Sequence, residues 1–145
     1  MIGLLKQLDG SIVTVSCGKG NALELLQRVH RESFPDSAIL GFRDPSDLPS
    51  HRFRDCWRHA GQAIQVDMPL ARAQRLKEIR AERNGRFTGL DAEWMRATGQ
   101  KRLAEADAIE AKRQVLRDIP ATCLTSLDAC TTPDALETYQ LEWPK

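Results

Sequence analysis

The spacing of apolar residues changes period along the chain, and each change marks an element. Ser11-Ile12-Val13-Thr14-Val15-Ser16 alternates with period two and is β-branched, which predicts a strand. Asn21 is placed to cap a helix over residues 22–29, with Leu23, Leu26 and His30 on one face. Ser37-Ala38-Ile39-Leu40-Gly41-Phe42 predicts a second short strand. This β-α-β order fits a small sheet with one helix packed on it, followed by a linker at Asp44-Pro45-Ser46-Asp47-Leu48-Pro49. Runs at 53–58 and 62–66 flank His59-Ala60-Gly61 and predict a hairpin whose apolar face carries Trp57 and Ile64.

Beyond residue 66 the period lengthens to three and four. Asp67 caps a helix whose first turn holds Pro69, where a missing amide costs nothing. Leu76, Ile79, Arg83, Phe87, Leu90, Trp94 and Ala97 then form a coiled-coil-like seam. Arg83 interrupts it, and Gly85 and Gly89 weaken it by roughly 1 kcal/mol each relative to alanine. Gly99 reads as a left-handed cap residue, Thr98-Gly99-Gln100 as the turn, and Leu103, Ala106, Ile109, Leu116 and Ile119 as a second helix that Pro120 ends. At Thr132-Pro133-Asp134 a capping threonine, a first-turn proline and an early acid open a last short helix. The expected class is α+β: a small N-terminal β-α-β unit and central β-hairpin, then a long helical hairpin and a short C-terminal helix. The expected divisions are residues 1–66 as the α+β body, with a linker near 44–50, residues 67–120 as the helical hairpin, and residues 121–145 as a tail.

Composition narrows the function. At 145 residues the chain is long enough for one self-sufficient core. Hydrophobic residues make up 41%, charged residues 28%, and the net charge is +1, which excludes a supercharged nucleic-acid binder or a disordered acidic chain as a description of the whole. The charge is segregated, however: residues 70–118 carry +4 and residues 119–145 carry −3. An electrostatic contact between tail and basic helices, within one subunit or between two, is the natural expectation. No apolar run approaches the ~18 residues of a membrane span, and Met1-Ile2-Gly3-Leu4-Leu5-Lys6 is too short for a secretory core. The expected location is cytoplasmic, with Cys17, Cys56, Cys123 and Cys130 reduced and acting as fillers.

Catalytic chemistry is nearly absent. There is neither a Gly-x-x-x-x-Gly-Lys loop nor a His-Glu-x-x-His, and Gly18-Lys19-Gly20 reads as a turn. Cys56-x-x-His59 lacks a second pair at zinc spacing, since Cys123 and Cys130 are seven apart. The pairs Glu78/Glu82 and Asp107/Glu110 have basic neighbours, as on a solvated helix face. No catalytic residue, metal or cofactor is expected.

What remains is binding. Arg72, Arg75, Arg83 and Arg86 fall near one face of the first long helix, with Lys77 and Arg80 beside it. A solvated face is the first reading, a protein contact the second, and nucleic acid the third, because no aromatic interleaving or DNA-binding motif accompanies the arginines. Trp143, after Tyr139 and Leu141, either clamps the tail or is an anchor offered to a partner. Phe87, Leu90 and Trp94 make the seam longer and more aromatic than one hairpin needs, so self-association through it is also expected. The partner-binding set is thus Phe87, Leu90, Trp94, Arg72, Arg75, Arg83, Arg86, Tyr139 and Trp143.

One block narrows the choice. Arg113-Gln114-Val115-Leu116-Arg117-Asp118-Ile119-Pro120, followed by Trp143-Pro144, resembles the C-terminal signature of small bacteriophage tail proteins described as tail or tail-fibre assembly chaperones. Phe53-Arg54-Asp55-Cys56-Trp57-Arg58, Val66-Asp67-Met68-Pro69-Leu70-Ala71-Arg72-Ala73 and Leu90-Asp91-Ala92-Glu93-Trp94-Met95-Arg96-Ala97 are similar to earlier blocks of the same proteins. Residues 1–48 carry no such block. The resemblance implies a non-enzymatic tail protein that binds a tail-fibre, baseplate or tail-tip component. It would act in the host cytoplasm during assembly or stay in the virion tail. The rival class is a small nucleic-acid-binding phage regulator using the arginine face.

Overall fold

The computed structural model describes residues 1–18 and 20–144. In chain order the elements are β1 (Ile2–Lys6), β2 (Ile12–Ser16), α1 (Ala22–Ser33), β3 (Ala38–Arg43), β4 (Trp57–Ala60), β5 (Ala63–Val66), α2 (Met68–Gly99), α3 (Leu103–Ala129) and α4 (Pro133–Thr138). Short 3-10 turns occupy Pro45–Asp47 and His51–Cys56. The class is α+β. Two compact units divide the chain, Met1–Ala71 and the residues from Arg72 onward.

In the first unit, β1 is the centre of an antiparallel sheet ordered β2-β1-β3. The residue pattern of Ile2–Lys6 does not alternate and so predicts no strand. A central strand covered on both faces shows an unbroken apolar run instead of alternation. Leu4 joins Ile12 and Trp57, while Leu5 joins Val15 and Leu26. Because β1 is antiparallel to both neighbours, β2 and β3 run the same way, and α1 makes the crossover between them. The β4–β5 hairpin covers one face of the sheet, placing Trp57, Ile64 and Val66 against Leu4. α1 covers the other face, and Gly3 permits the approach: a Cβ there would meet Leu26 Cδ1 at 2.9 Å.

Several local expectations shift. The buried face of α1 is Leu25, Leu26 and Val29, while Leu23 is exposed. His30 is half-buried, its Nδ1 3.0 Å from Phe34 O and 3.1 Å from Ser37 Oγ. Asn21 does cap the helix, its Oδ1 accepting the Glu24 N–H at 3.3 Å. The segment at 44–49 is no linker, because Leu48 packs into the Trp57 cluster. Residues 53–56 form 3-10 turns, not strand, so the hairpin pairs Trp57 with Val66 and Ala60 with Ala63 around Gly61-Gln62. Gly61 has φ +64°, as a two-residue hairpin turn requires.

The second unit contains the helical hairpin. Contacts between α2 and α3 run antiparallel: Ala97 with Ala106 near the turn, then Asp91 and Trp94 with Arg113. The turn falls two residues later than expected, at Gln100-Lys101-Arg102. Lys101, with φ 56°, is the left-handed residue, and Gly99 stays helical. Arg102 N–H reaches Ala97 O at 2.9 Å and Lys101 N–H reaches Thr98 O at 3.0 Å, the paired bonds of a Schellman motif.

Pro120 does not end α3. An interior proline costs about 3 kcal/mol through its missing donor and its clash with the preceding turn. The helix nevertheless continues, because Cys123 and Leu127 extend the buried stripe of Ala106, Ile109, Leu116 and Ile119 at the same three-four spacing. Burying a leucine and its neighbours over two more turns contributes about as much as the proline removes. α4 begins as expected, Thr132 Oγ1 accepting the Ala135 N–H at 3.2 Å.

Candidate functional site

The arginines and the apolar seam of α2 prove to be one face. Arg72, Leu76, Ile79, Arg83, Phe87, Leu90, Trp94 and Ala97 follow each other at steps of three and four, with Arg75 and Arg86 one position to the side. Arginine can occupy such positions because its stem lies along apolar surface while the guanidinium reaches for polar atoms.

Three of the four guanidiniums reach the C-terminal segment. Arg72 donates from Nη2 (2.9 Å) and Nε (3.3 Å) to Cys130 O, just past the end of α3, where helix carbonyls lack partners and the dipole is negative. Arg75 donates from Nη2 to Tyr139 O at 3.2 Å and pairs through Nη1 with Glu78 at 3.0 Å. The Arg86 guanidinium lies 4.4 Å from the Trp143 ring centroid and also pairs with Glu82 at 2.9 Å. Arg83 stays local, 5.9 Å from the Phe87 ring and bonded to Asn84 Oδ1. Arg72 and Arg75 are therefore half-buried against the tail and not on a solvated face, whereas Arg86 stays exposed while it touches Trp143.

A fifth arginine completes the arrangement. Arg113 lies 5.1 Å from the Trp94 centroid, holds Asp91 Oδ1 at 2.8 Å and pairs with Glu110. Arg117 also reaches Glu110, at 2.6 Å. Hydrogen bonds from Arg117 and then Arg113 keep the Glu110 carboxyl below its ordinary pKa. The binding set omits Arg113, although the signature block contained it: its partner Trp94 is nineteen positions away in sequence, and no local spacing shows that pairing.

The seam residues are largely used inside the hairpin. Leu90 and Trp94 pack against Ala97, Ala106 and Ile109, and Phe87 is half-buried. In the tail, Leu136 is fully buried, whereas Tyr139, Leu141, Trp143 and Pro144 are only partly covered. Leu136 is thus the deep anchor, a place the sequence reading gave to Trp143. Beside the tail, a cleft of about 310 Å³ is lined by Arg86, Gly89, Leu90 and Glu93 of α2, Lys112 and Leu116 of α3, and Pro144.

Elsewhere the chemistry is sparse. A cleft of about 350 Å³ in the first unit is lined by Gln7, Leu8, Asp9 and residues 33–37, among them Ser37, whose Oγ lies 3.1 Å from His30 Nδ1 and donates to Phe34 O at 2.7 Å. Asp9 accepts hydrogen bonds from Ser11, which hold its carboxyl below the ordinary value. Cys56, Cys123 and Cys130 are buried, no cysteine is in a disulfide, and burial pushes the Cys123 thiol up. Lys19 of the Gly18-Lys19-Gly20 turn lies outside the described residues. Among the described residues no group of three or more His, Cys, Asp or Glu could hold a metal ion, and no helix is long and apolar enough to cross a membrane. Comparison with protein-family models, curated proteins and solved structures finds no match to this chain.

Proposed function

We propose that this chain is a non-enzymatic bacteriophage tail protein that binds a tail-fibre, baseplate or tail-tip component, as an assembly chaperone or as a part retained in the virion. One observation carries the reading: two of the blocks that resemble phage tail proteins, 90–97 and 113–120, pack on each other, and two more, 66–73 and the Trp-Pro pair, hold or rest on arginine contacts of the same unit. Arg113 of the signature stacks on Trp94 and pairs with Asp91, both of the 90–97 block. Arg72 of the 66–73 block holds the carbonyl that ends α3, and Trp143 of the Trp-Pro pair rests on Arg86. Residues far apart in sequence converge on one aromatic and arginine-rich surface, the composition favoured where proteins meet. Against the nucleic-acid reading stands the engagement of Arg72, Arg75 and Arg86 with the tail, which leaves fewer cations to neutralise phosphates.

The test is co-expression of tagged protein with the tail-fibre, baseplate and tail-tip proteins of the phage that encodes it. A stoichiometric complex with one of them, stable through gel filtration, is expected. Mass spectrometry of purified virions then separates the chaperone from the retained component. Absence of any complex, together with sequence-selective DNA binding at physiological salt, would replace this reading with the regulator.

A further inference from the structure

We propose that the groove between α2 and α3 docks an extended partner segment carrying an aromatic residue next to proline with flanking carboxylates. In the free protein, this chain's own residues 139–144 hold part of that groove until the partner displaces them. The inference rests on the protein-binding reading and specifies the partner's chemistry and its regulation.

The chain's own tail shows what the groove recognises. From Tyr139 to Pro144 the backbone forms no regular element. Arg75 donates to a main-chain carbonyl there, and Arg86 supplies a flat cationic surface for an indole. The cleft continues past Pro144 over an apolar floor of Leu90 and Leu116, lined by two cations, Arg86 and Lys112, against one acid, Glu93, so its charged lining is net positive and suits a carboxylate. At Gly89 the cleft is open space, since a Cβ there would have nothing within 4 Å. The +4 of residues 70–118 against the −3 of the C-terminal stretch gives the matching charge.

The same segment is lightly held. Gln140 and Glu142 are exposed, and none of residues 139–144 is buried. Segments with few buried contacts open at low free-energy cost while the rest of the fold stays intact. Leu136, fully buried, keeps α4 in place during that opening, so residues 139–144 act as a tethered competitor.

The experiment uses the full chain and a fluorescein-labelled peptide with the sequence of residues 138–144, followed by fluorescence anisotropy. Because a tethered competitor lowers apparent affinity by the fraction of time the groove is open, Trp143→Ala should bind the peptide about tenfold more tightly than wild type. Arg86→Glu and Lys112→Glu, each added to Trp143→Ala, should both weaken it. Lys112 lines the cleft from α3, so its variant reports on the groove even if Arg86→Glu lowers stability. Equal affinity for wild type and Trp143→Ala, or binding indifferent to both charge reversals, would overturn the proposal. So would a wild-type dimer that the peptide dissolves, which would assign the groove to a second copy. A tail component captured equally well by all variants would remove this groove and leave the proposed function standing. Peptide binding as expected, with no tail component captured, would do the reverse.

Discussion

Leu136→Ala should destabilise the protein more than Trp143→Ala, although tryptophan is the larger side chain. Leu136 is 0% exposed, and truncating a fully buried leucine costs about 2 to 5 kcal/mol through lost transfer energy and the cavity left behind. Trp143 is only partly covered, and its main specific contact is the Arg86 guanidinium at 4.4 Å. A partly exposed cation–π pair contributes about 0.5 to 2 kcal/mol, so Trp143→Ala should cost about 1 to 2 kcal/mol with the lost apolar cover. Urea denaturation followed by far-UV circular dichroism reads both. With a slope of about 1 to 3 kcal/mol per molar urea, the midpoint should fall by roughly 1 M or more for Leu136→Ala and by well under 1 M for Trp143→Ala. A double-mutant cycle with Arg86→Ala should return a coupling close to the cation–π value. If Trp143→Ala costs as much as Leu136→Ala, the indole is the anchor, and the low cost of releasing residues 139–144 is wrong as well.

Other outcomes follow from the same contacts. Pro120→Ala should raise the urea midpoint by the equivalent of about 1 to 2 kcal/mol, since alanine restores a donor inside α3; a lower midpoint would mean that the half-buried ring packs well enough to outweigh its backbone cost. A thiol reagent under native conditions should label half-buried Cys17 first and reach Cys123 only on unfolding, because Cys123 is 2% exposed and its thiol is pushed above 9.0; equal rates would refute that burial. Glu110 binds its proton less readily in the folded state, so its contribution is fully present above its ordinary 4.5 and fades as pH falls through the lower folded value. Glu110→Gln should therefore flatten stability against pH below about 4.5, by a small amount because the group is exposed, and an unchanged acid limb would count against the Arg117 and Arg113 bonds.

Much of the fold was readable along the chain because local rules coincide with the structure there. Asn21, Asp67 and Thr132 all cap their helices, since a side-chain oxygen three residues before a free amide needs no tertiary help. The apolar face of the β4–β5 hairpin and the three-four seam of α2 were likewise visible, because burial on one side leaves a period in the sequence.

Tertiary structure decided the rest wherever two local signals competed or a partner lay far away. β1 gave no period because both of its faces are covered. Gly99 was free to cap but remained helical, and the left-handed position fell to Lys101. At Pro120 the local cost opposed helix, and burial of Cys123 and Leu127 overcame it. The arginine face shows the limit most clearly. Its spacing was legible, but Arg72 finds its acceptor fifty-eight residues away, Arg75 sixty-four, and Arg86 a tryptophan near the end of the chain. A guanidinium on a long stem carries no sequence mark of whether it faces water or a distant carbonyl, and only the antiparallel return of α3, past its proline, brought those carbonyls within reach.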